Sequence, residues 1–439
     1  MEWYFALGML LGMLILFMAT GLPVAFSFFA VNLVGAVVFL GGEAGLMQLV
    51  RNAVWSVTTF SLAPIPLFIL MGEIMFHTGM AFRAIDAVDR LIARVPGRLS
   101  LVAVTGGTIF STLSGSTMAN VAMLGSSLLP EMQRRGYHPS MAMGPILGTG
   151  GIAMLIPPSA LAVLLASLAQ MPVAELLIAG IVPGLLIALL FFAYIVVRCR
   201  LNPGLAPPYE PEELAPGDRL KPFLIYVVPL MTLFVLVVGS ILAGWATPTE
   251  SAALGAVGAV IAAVAYRCLT RRALRTALIE AAKVTGMALF IICASVTFAQ
   301  ILAFSGAVDG LLEVTIELDF SPITLLVLML LILLALGAFI DQLSMMLITL
   351  PFFMPLAQHA GFDLVWYGVL LLVVLEVSLT TPPFGLLLFV MKGVAPPQIT
   401  LRQIYVAAGP FIALELLVLI LVVVYPALAT WLPNLIIRP

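Results

Sequence analysis

Long stretches without a single charged residue dominate this chain. Trp3–Gly42, Asn52–Gly72, Leu99–Pro130, Pro139–Ala174, Leu176–Val197, Pro222–Thr249, Ser251–Tyr266, Val284–Val308 and Ser321–Ile340 contain no Asp, Glu, Lys or Arg. A helix needs about 20 apolar residues to cross the hydrocarbon core of a bilayer, so these runs are material for roughly ten spans. Soluble domains carry about 25% charged residues, whereas here 9% are charged and 63% hydrophobic. A net charge of −2 leaves no basic footprint for nucleic acid. Cys199, Cys268 and Cys293 are too scattered for a disulfide framework or a zinc cluster. The expected fold is an all-α polytopic membrane protein embedded in a lipid bilayer.

The charges that remain set the orientation. Arg83–Arg98, Arg134–Arg135, Arg198–Lys221 and Arg267–Lys283 are the dense basic stretches, and the positive-inside rule places all four in the cytoplasm. Two spans separate Arg200 from Arg267, and two more, about 141–169 and 172–197, separate Arg135 from Arg198. Between Arg98 and Arg135 lies one uncharged run of 32 residues, long for one span and short for two. Its middle, Ser111-Thr112-Leu113-Ser114-Gly115-Ser116-Thr117, is a poor helix interior, because hydroxyl side chains compete for backbone bonds. A re-entrant helical hairpin keeps both arginine clusters on one side. The start, MEWYFALGML, has no basic n-region and reads as the first span rather than a removed signal.

The second half of the chain repeats the first. Phe76–Leu101 aligns with Phe304–Leu326, a basic connector against one carrying Asp309, Glu313, Glu317 and Asp319. Residues 113–139 match 343–363 in their small turn, apolar rise and Gly-aromatic exit, and Ile156-Pro157-Pro158-Ser159 matches Thr381-Pro382-Pro383-Phe384. Five spans per half make the repeats inverted. The expected organisation is repeat 1 over 1–198, with scaffold helices 1–80, connector 81–98, hairpin 99–135 and broken helix 141–169. A cytoplasmic linker follows over 199–221. Repeat 2 covers 222–439, with scaffold helices 222–305, connector 306–320, hairpin 321–360, broken helix 364–394 and last helix 401–435. Inverted repeats with hairpins and proline-broken helices point to a secondary transporter with its site at the repeat interface. No segment fits G-x-x-x-x-G-K-[ST], so the sequence holds no ATP-hydrolysing motif.

Hairpin tips and Pro-Pro breaks leave backbone carbonyls unpaired in hydrocarbon, which is tolerated where they line a protected cavity. In repeat 1 these are Ser114, Gly115, Ser116 and Thr117, with Asn120 a turn onward, facing Gly148–Gly151 and Ile156–Ser159. In repeat 2 they are Asp341, Gln342 and Ser344, facing Ser378, Leu379, Thr380 and Thr381. Carbonyls, hydroxyls and one carboxylate suit a hard cation such as Na⁺; the alternative is that small residues simply let helices pack closely. Asp341, deep in an uncharged stretch, reads as a functional group or as the N-cap of the helix that resumes near Ser344. Glu376 precedes the second break and could support it. Glu73 and Glu415 face a helix partner, snorkel to an interface, or take part in transport. Glu250 starts a helix where the dipole favours it, or belongs to a site. His77, His138 and His359 lie apart from one another, which argues against a metal triad. No Arg or Lys falls at a tip or break, so an anion would be met by backbone N–H groups, half-helix N-termini and bound cations.

The ordered motifs GLPVAFSF (21–28), PLFILMGEIM (66–75), SGSTMANVAMLGSSLLPEMQRRGY (114–137), ILGTGGIAMLIPPS (146–159), GWATPTESAA (244–253), GAFID (337–341) and LEVSLTTPPFGLLLFVMKG (375–393) carry a resemblance. Nearly end to end, the chain resembles the large membrane subunit of tripartite ATP-independent periplasmic (TRAP) transporters, the DctM-like permease of the ion-transporter superfamily. The resemblance implies a non-enzymatic, multi-pass protein of the bacterial inner membrane that works as an elevator with scaffold and transport domains. It implies symport with Na⁺ as coupling ion, no other cofactor, and an organic-acid (carboxylate) substrate delivered by a periplasmic substrate-binding protein. A separate small four-helix membrane subunit is expected as partner, and no nucleic acid.

The first Na⁺ site carries over to Ser114, Gly115, Ser116, Asn120, Thr149, Ile156 and Pro157. The second carries over to Asp341, Ser344, Ser378, Thr380, Thr381 and Pro382. Substrate contact carries over to Ser116, Thr117, Pro158, Ser159, Thr381 and Pro383. Asn120 stands where some members have an acidic residue, and Phe384 makes the second break bulkier than the first. A stand-alone dicarboxylate or other anion carrier of the same superfamily is the alternative. An intramembrane hydrolase would need paired Asp, Ser–His or HExxH groups within the membrane, and Asp341 has no like partner in an equivalent span.

Overall fold

In a computed structural model, the structure describes residues 2–92, 95–114, 116–207 and 220–436, with the helical backbone alone for 112–114. The first half forms α1 (Trp3–Ala19), α2 (Val24–Phe39), α3 (Glu43–Thr58), α4 (Pro64–His77), α5 (Met80–Leu91), α6 (Arg98–Ser114), α7 (Thr117–Arg134), α8 (Pro139–Leu155), α9 (Ala160–Leu168), α10 (Val173–Ala179) and α11 (Ile181–Leu201). After a π-helical turn at Phe223–Val227, the second half forms α12 (Val228–Leu242), α13 (Pro248–Ala265), α14 (Arg271–Phe304), α15 (Ala307–Glu317), α16 (Pro322–Gly337) and α17 (Gln342–His359). It ends with α18 (Leu364–Thr380), α19 (Leu386–Val394), α20 (Leu401–Val424) and α21 (Ala427–Ile436). The described residues contain helices and no strands.

Among the described residues, six helical segments are long and apolar enough to cross a membrane alone, and the pair α8–α9, bent by 47°, adds a seventh. Shorter apolar helices, including α1, α2, α16 and α18, make up the rest. The roughly ten uncharged runs therefore do not translate one by one into full spans. Half-helices at the tips and breaks take up part of the apolar length.

The repeat is visible element by element. Each connector helix starts after a glycine in the left-handed region, Gly79 (φ 74°) before α5 and Gly306 (φ 71°) before α15. Each hairpin exits through another, Gly136 (φ 74°) and Gly361 (φ 72°), each followed by an aromatic residue. Both Pro-Pro bonds, Pro157-Pro158 and Pro382-Pro383, are cis.

Three features depart from the sequence-based expectation. Where the second half has the continuous 34-residue α14, the first half has α3 and α4 joined by a 3-10 turn at Phe60–Leu62. Pro64 and Pro66 lack N–H donors and end any helix that would run through them, while α14 contains no proline. The single last helix expected over 401–435 is two, because Pro426 stops α20 and holds Tyr425 out of the helical region (φ −123°, ψ 79°). The linker expected from 199 begins later, since α11 continues to Leu201; residues 208–219 of it lie outside the described residues.

The helices pack in two groups, and each group mixes the halves. In the first, α4 lies against α13 and α14, and α14 also packs on α2 and α3. Asn32 donates to the Ala294 carbonyl at 2.6 Å, and Asn52 donates to Gln300 Oε1 at 2.7 Å and Thr297 Oγ1 at 3.2 Å. Such bonds tie helices together where apolar burial cannot favour protein over lipid. In the second group, α8 is the centre, packed by α6, α7, α11, α18 and α20. Every residue from Met141 to Leu155 is buried, which explains an all-round apolar helix without a polar face. The connector α5 joins the groups, and its Asp89 accepts a two-pronged bond from Arg98 at the start of α6, at 3.0 and 2.9 Å.

Candidate transport site

The first tip meets the first broken helix through a polar knot. Asn120 Nδ2 on α7 donates to Ser111 Oγ on α6 at 2.6 Å and to the Thr149 carbonyl on α8 at 3.1 Å. Ser111 Oγ donates to the same carbonyl at 2.9 Å. A carbonyl can only accept, so it is the amide nitrogen of Asn120 that faces Thr149, and Asn120 Oδ1 is left buried with no partner. Ser116 caps α7 by accepting from the Ala119 N–H at 3.3 Å. Gly115 and the Ser114 side chain lie outside the described residues.

Six residues beyond Thr149, at Leu155, α8 ends at the break. Pro157 and Pro158 have no N–H to give, so the Ala153 and Met154 carbonyls lose their i+4 donors. Ser159 starts the next half-helix by accepting from the Ala162 N–H at 3.2 Å. Ile156, Pro157, Pro158 and Ser159 are all buried.

The second tip is built differently. Asp341 caps α17, accepting from the Ser344 N–H at 3.2 Å, and Ser344 Oγ donates to its other oxygen. The capping geometry is thus present, and the carboxylate stays partly exposed. Tip and break touch directly: the Phe384 N–H donates to the Ala338 carbonyl at 3.2 Å, and Gly337 lies against Ser378 so closely that a side chain there would collide. Pro382 and Pro383 remove the i+4 donors of the Ser378 and Leu379 carbonyls; Ser378 recovers one bond, from the Thr381 N–H at 3.2 Å. The hydroxyls of Ser378, Thr380 and Thr381 donate back to the Leu375 and Val377 carbonyls of α18. Their lone pairs remain available to a cation. Unlike the first break, Pro382, Pro383 and Phe384 are exposed.

Gln342 links the two junctions. It sits in the first turn of α17, and its amide reaches the Leu375 carbonyl on α18 at 3.2 Å and Met154 Sδ on α8 at 3.4 Å. Of the residues assigned to the first cation site, Asn120 is bonded to the Thr149 carbonyl; of those assigned to the second, Asp341 is bonded to Ser344, and Gly337 of the tip lies against Ser378. The substrate set divides by exposure: Thr117, Pro158 and Ser159 are buried, Ser116 and Thr381 are half-buried, and Pro383 is exposed.

The remaining acidic residues separate. Glu250 closes a capping box, accepting from the Thr247 N–H at 2.7 Å while its own N–H donates to Thr247 Oγ1 at 3.3 Å; this is the helix-start reading. Glu73 pairs along α4 with His77 at 3.1 Å. Glu376 and Glu415 are both 1% exposed, and both reach Gly151 of α8. Ser111 joins the site without having been assigned to it; its signal was a polar side chain inside a long uncharged run. Gln342, placed at the second tip by the sequence but not among the ligands, is found bridging to α8.

Paired tips and broken helices around one buried helix define a polytopic α-helical permease fold. The solved structure of MtrF from Neisseria gonorrhoeae, a member of a class of antimetabolite efflux pumps, shares this fold with a TM-score of 0.60 at 17% identity, over 95% of this chain and 96% of that one. Residues 11–428 match the family model described as the DctM component of the tripartite ATP-independent periplasmic transporter, and the chain belongs to that family. It is 35% identical over 380 residues to the C4-dicarboxylate TRAP transporter large permease protein DctM of Pseudomonas aeruginosa, covering 85% of this chain and 86% of the relative. It is 32% identical over 441 residues to the protein of the same name from Rhodobacter capsulatus, covering 97% and 98%.

Proposed function

We propose that this chain is the large membrane subunit of a Na⁺-coupled importer of organic acids in the bacterial inner membrane. It works by an elevator mechanism, with a small four-helix membrane subunit and a periplasmic substrate-binding protein that delivers the carboxylate. The observation that supports the reading best is the polar chemistry at each tip and break. At the first junction, Asn120 Oδ1 is buried without a partner, its amide nitrogen bonded to the Thr149 carbonyl of the helix that ends at the break. At the second, the tip carries Asp341 and Ser344, and the break that touches this tip carries the back-bonded hydroxyls of Ser378, Thr380 and Thr381. Oxygen donors of this kind suit a small hard cation.

Ser114, Gly115, Ser116, Asn120, Thr149, Ile156 and Pro157 make the first Na⁺ site; Asp341, Ser344, Ser378, Thr380, Thr381 and Pro382 make the second. The carboxylate is met by Ser116, Thr117, Pro158, Ser159, Thr381 and Pro383, at the half-helix N-termini where backbone N–H groups point outward. The relatives named for C4-dicarboxylates make a compound of that class the first substrate to try.

The test is uptake of labelled succinate into proteoliposomes that hold the chain with its small subunit, with binding protein outside. An inward Na⁺ gradient is expected to drive uptake, and Asp341→Asn and Asn120→Ala to weaken its Na⁺ dependence by about tenfold or more, the effect of losing one charge-assisted contact. Uptake that ignores Na⁺ sinks the coupling. Uptake that proceeds without binding protein points instead to a stand-alone carrier.

A further inference from the structure

An open cavity of about 560 Å³ lies where two spans reach their basic ends, which the positive-inside rule places at the cytoplasmic surface. One wall is the connector α5, which follows the span Phe60–His77; the other is the segment that opens the span Leu220–Leu242. Helix α5 buries Met80, Ala84, Ile85 and Val88 and leaves Phe82, Arg83, Asp86 and Arg90 exposed. Spaced three and four residues apart, those exposed side chains share one stripe of the helix. They line the cavity together with Lys221, Ile225 and Tyr226.

The lining carries three cations, Arg83, Arg90 and Lys221, against one carboxylate, Asp86. Asp86 is taken by Arg90 at 2.9 Å, and no ion pair among the described residues involves Arg83 or Lys221. Arg83 instead lies over the Tyr226 ring, 5.8 Å from its centre, a contact that uses no carboxylate. Tyr226 is itself held in place. Its ring packs on Tyr266 at 5.5 Å, and the Tyr266 hydroxyl donates to the Ile225 carbonyl.

An excess of Lys and Arg on this side satisfies the positive-inside rule without any cavity. Here the basic groups gather round one, and exposed apolar side chains adjoin it. Phe82 is 42% exposed at its rim, and Leu224 and Val228, on the span itself, are 52% and 38% exposed. A soluble anion would use the cations alone, whereas a molecule with both a phosphate and acyl chains uses both features. Arginine offers phosphate oxygens a planar fork of donors, and lysine adds a mobile point charge. A cavity of this size takes a polar headgroup rather than a single ion.

We propose that this cavity is a binding site for an anionic phospholipid of the cytoplasmic leaflet, such as phosphatidylglycerol. The phosphate is held by Arg83 and Lys221, and the acyl chains run along Leu224 and Val228. Basic pockets between membrane helices on the cytoplasmic side suit headgroups of this kind. The lipid bridges α5 to the segment that opens the α12 span, so it ties the connector between the two helix groups to the bilayer. The site is separate from the tips and breaks and stands whether or not sodium drives uptake.

Native mass spectrometry of the purified, delipidated protein, titrated with single lipids, tests this directly. Phosphatidylglycerol is expected to bind more tightly than phosphatidylcholine with the same acyl chains, which carries no net charge. A cation near the membrane surface strengthens binding of an anionic lipid about fivefold, so Arg83→Gln and Lys221→Gln should each cost about fivefold and together about 25-fold. Replacing two exposed cations outside the cavity, by Arg272→Gln and Arg275→Gln on α14, is expected to leave the affinity unchanged. The single variants decide the matter if the double variant does not fold. Glycerol phosphate, the headgroup chemistry without the chains, is expected not to displace the lipid at equal concentration. Equal binding of the two lipids, undiminished binding by both single variants, an equal loss in the α14 variant, or displacement by equimolar glycerol phosphate overturns the proposal.

Discussion

Replacing Asn120 by alanine probes the first junction at its centre. The side chain is 0% exposed and holds Ser111 on α6 and the Thr149 carbonyl on α8 with two bonds, at 2.6 and 3.1 Å. Each is worth about 1 kcal/mol net. Thr149 keeps its bond from Ser111 at 2.9 Å, so no carbonyl is orphaned. The amide leaves a small void, and the total cost comes to about 2–3 kcal/mol. In a chain of this length unfolding as a unit, that lowers the unfolding temperature by about 2–3 °C.

The same residue also answers the sodium question, because its Oδ1 is free. Sodium at ten times its dissociation constant stabilises the native protein by about 1.4 kcal/mol, and the variant is expected to lose much of that gain. Asn120→Asp is expected to be destabilised in choline buffer, where a carboxylate oxygen faces the Thr149 carbonyl, and to recover in sodium. The assay is thermal unfolding of the solubilised protein in matched choline and sodium buffers. An alanine variant that matches the native protein in both would refute the knot and the ligand together.

Two further substitutions test the frame around the site. Asp89 lies in the connector α5, outside the spans, where burial pushes its carboxyl above the ordinary range and the Arg98 guanidinium draws it only part of the way back. A carboxyl raised in the folded state contributes its full stability below its unfolded value and loses it as pH climbs through the raised one. Asp89→Asn is therefore expected to flatten the decline in unfolding temperature from about pH 4 to about pH 7; an unchanged slope would remove Asp89 from that balance. Gly144→Ala places a methyl 2.6 Å from the Ala407 carbonyl and 2.8 Å from Phe411 Cδ2. Because a backbone carbonyl cannot turn aside, α8 and α20 must separate, at about 1–3 kcal/mol. Size-exclusion chromatography should show less monodisperse protein, and an undiminished peak would mean that the helices part without cost.

Much of this was legible in the sequence because prolines and hydroxyls leave local marks. Pro157-Pro158 and Pro382-Pro383 have to interrupt apolar helices, and Ser116 and Asp341 are capping residues wherever they sit. Pro64 and Pro66 carried the same kind of mark, and the division of α3 from α4 follows from it. Other features depended on which helices became neighbours. Glu376 and Glu415 belong to different helices, and both come close to Gly151 of a third. Ser111 looked like part of a poor helix interior, yet it lies within α6 and finds its partners on α7 and α8. A pattern of spacing reveals where a chain must bend, but not which buried polar groups the bends bring together.

The two junctions share their backbone chemistry and differ in access, and the difference bears on how such a site could work. Each Pro-Pro pair takes the i+4 donors from two carbonyls of the preceding helix, so both breaks present the same kind of oxygen. At the first, Ile156 is 2% and Ser159 1% exposed, while at the second Phe384 is 56% exposed. Repeats with matching elements would have equal access if symmetry alone governed the fold. The structure instead closes one and opens the other, with Gln342 bonded to α18 and touching α8 between them. Under the proposed function this inequality is what a carrier requires, since a site open on both sides at once would leak the gradient that drives it. The residue placed to couple the two junctions is then Gln342, which touches the helix entering each break.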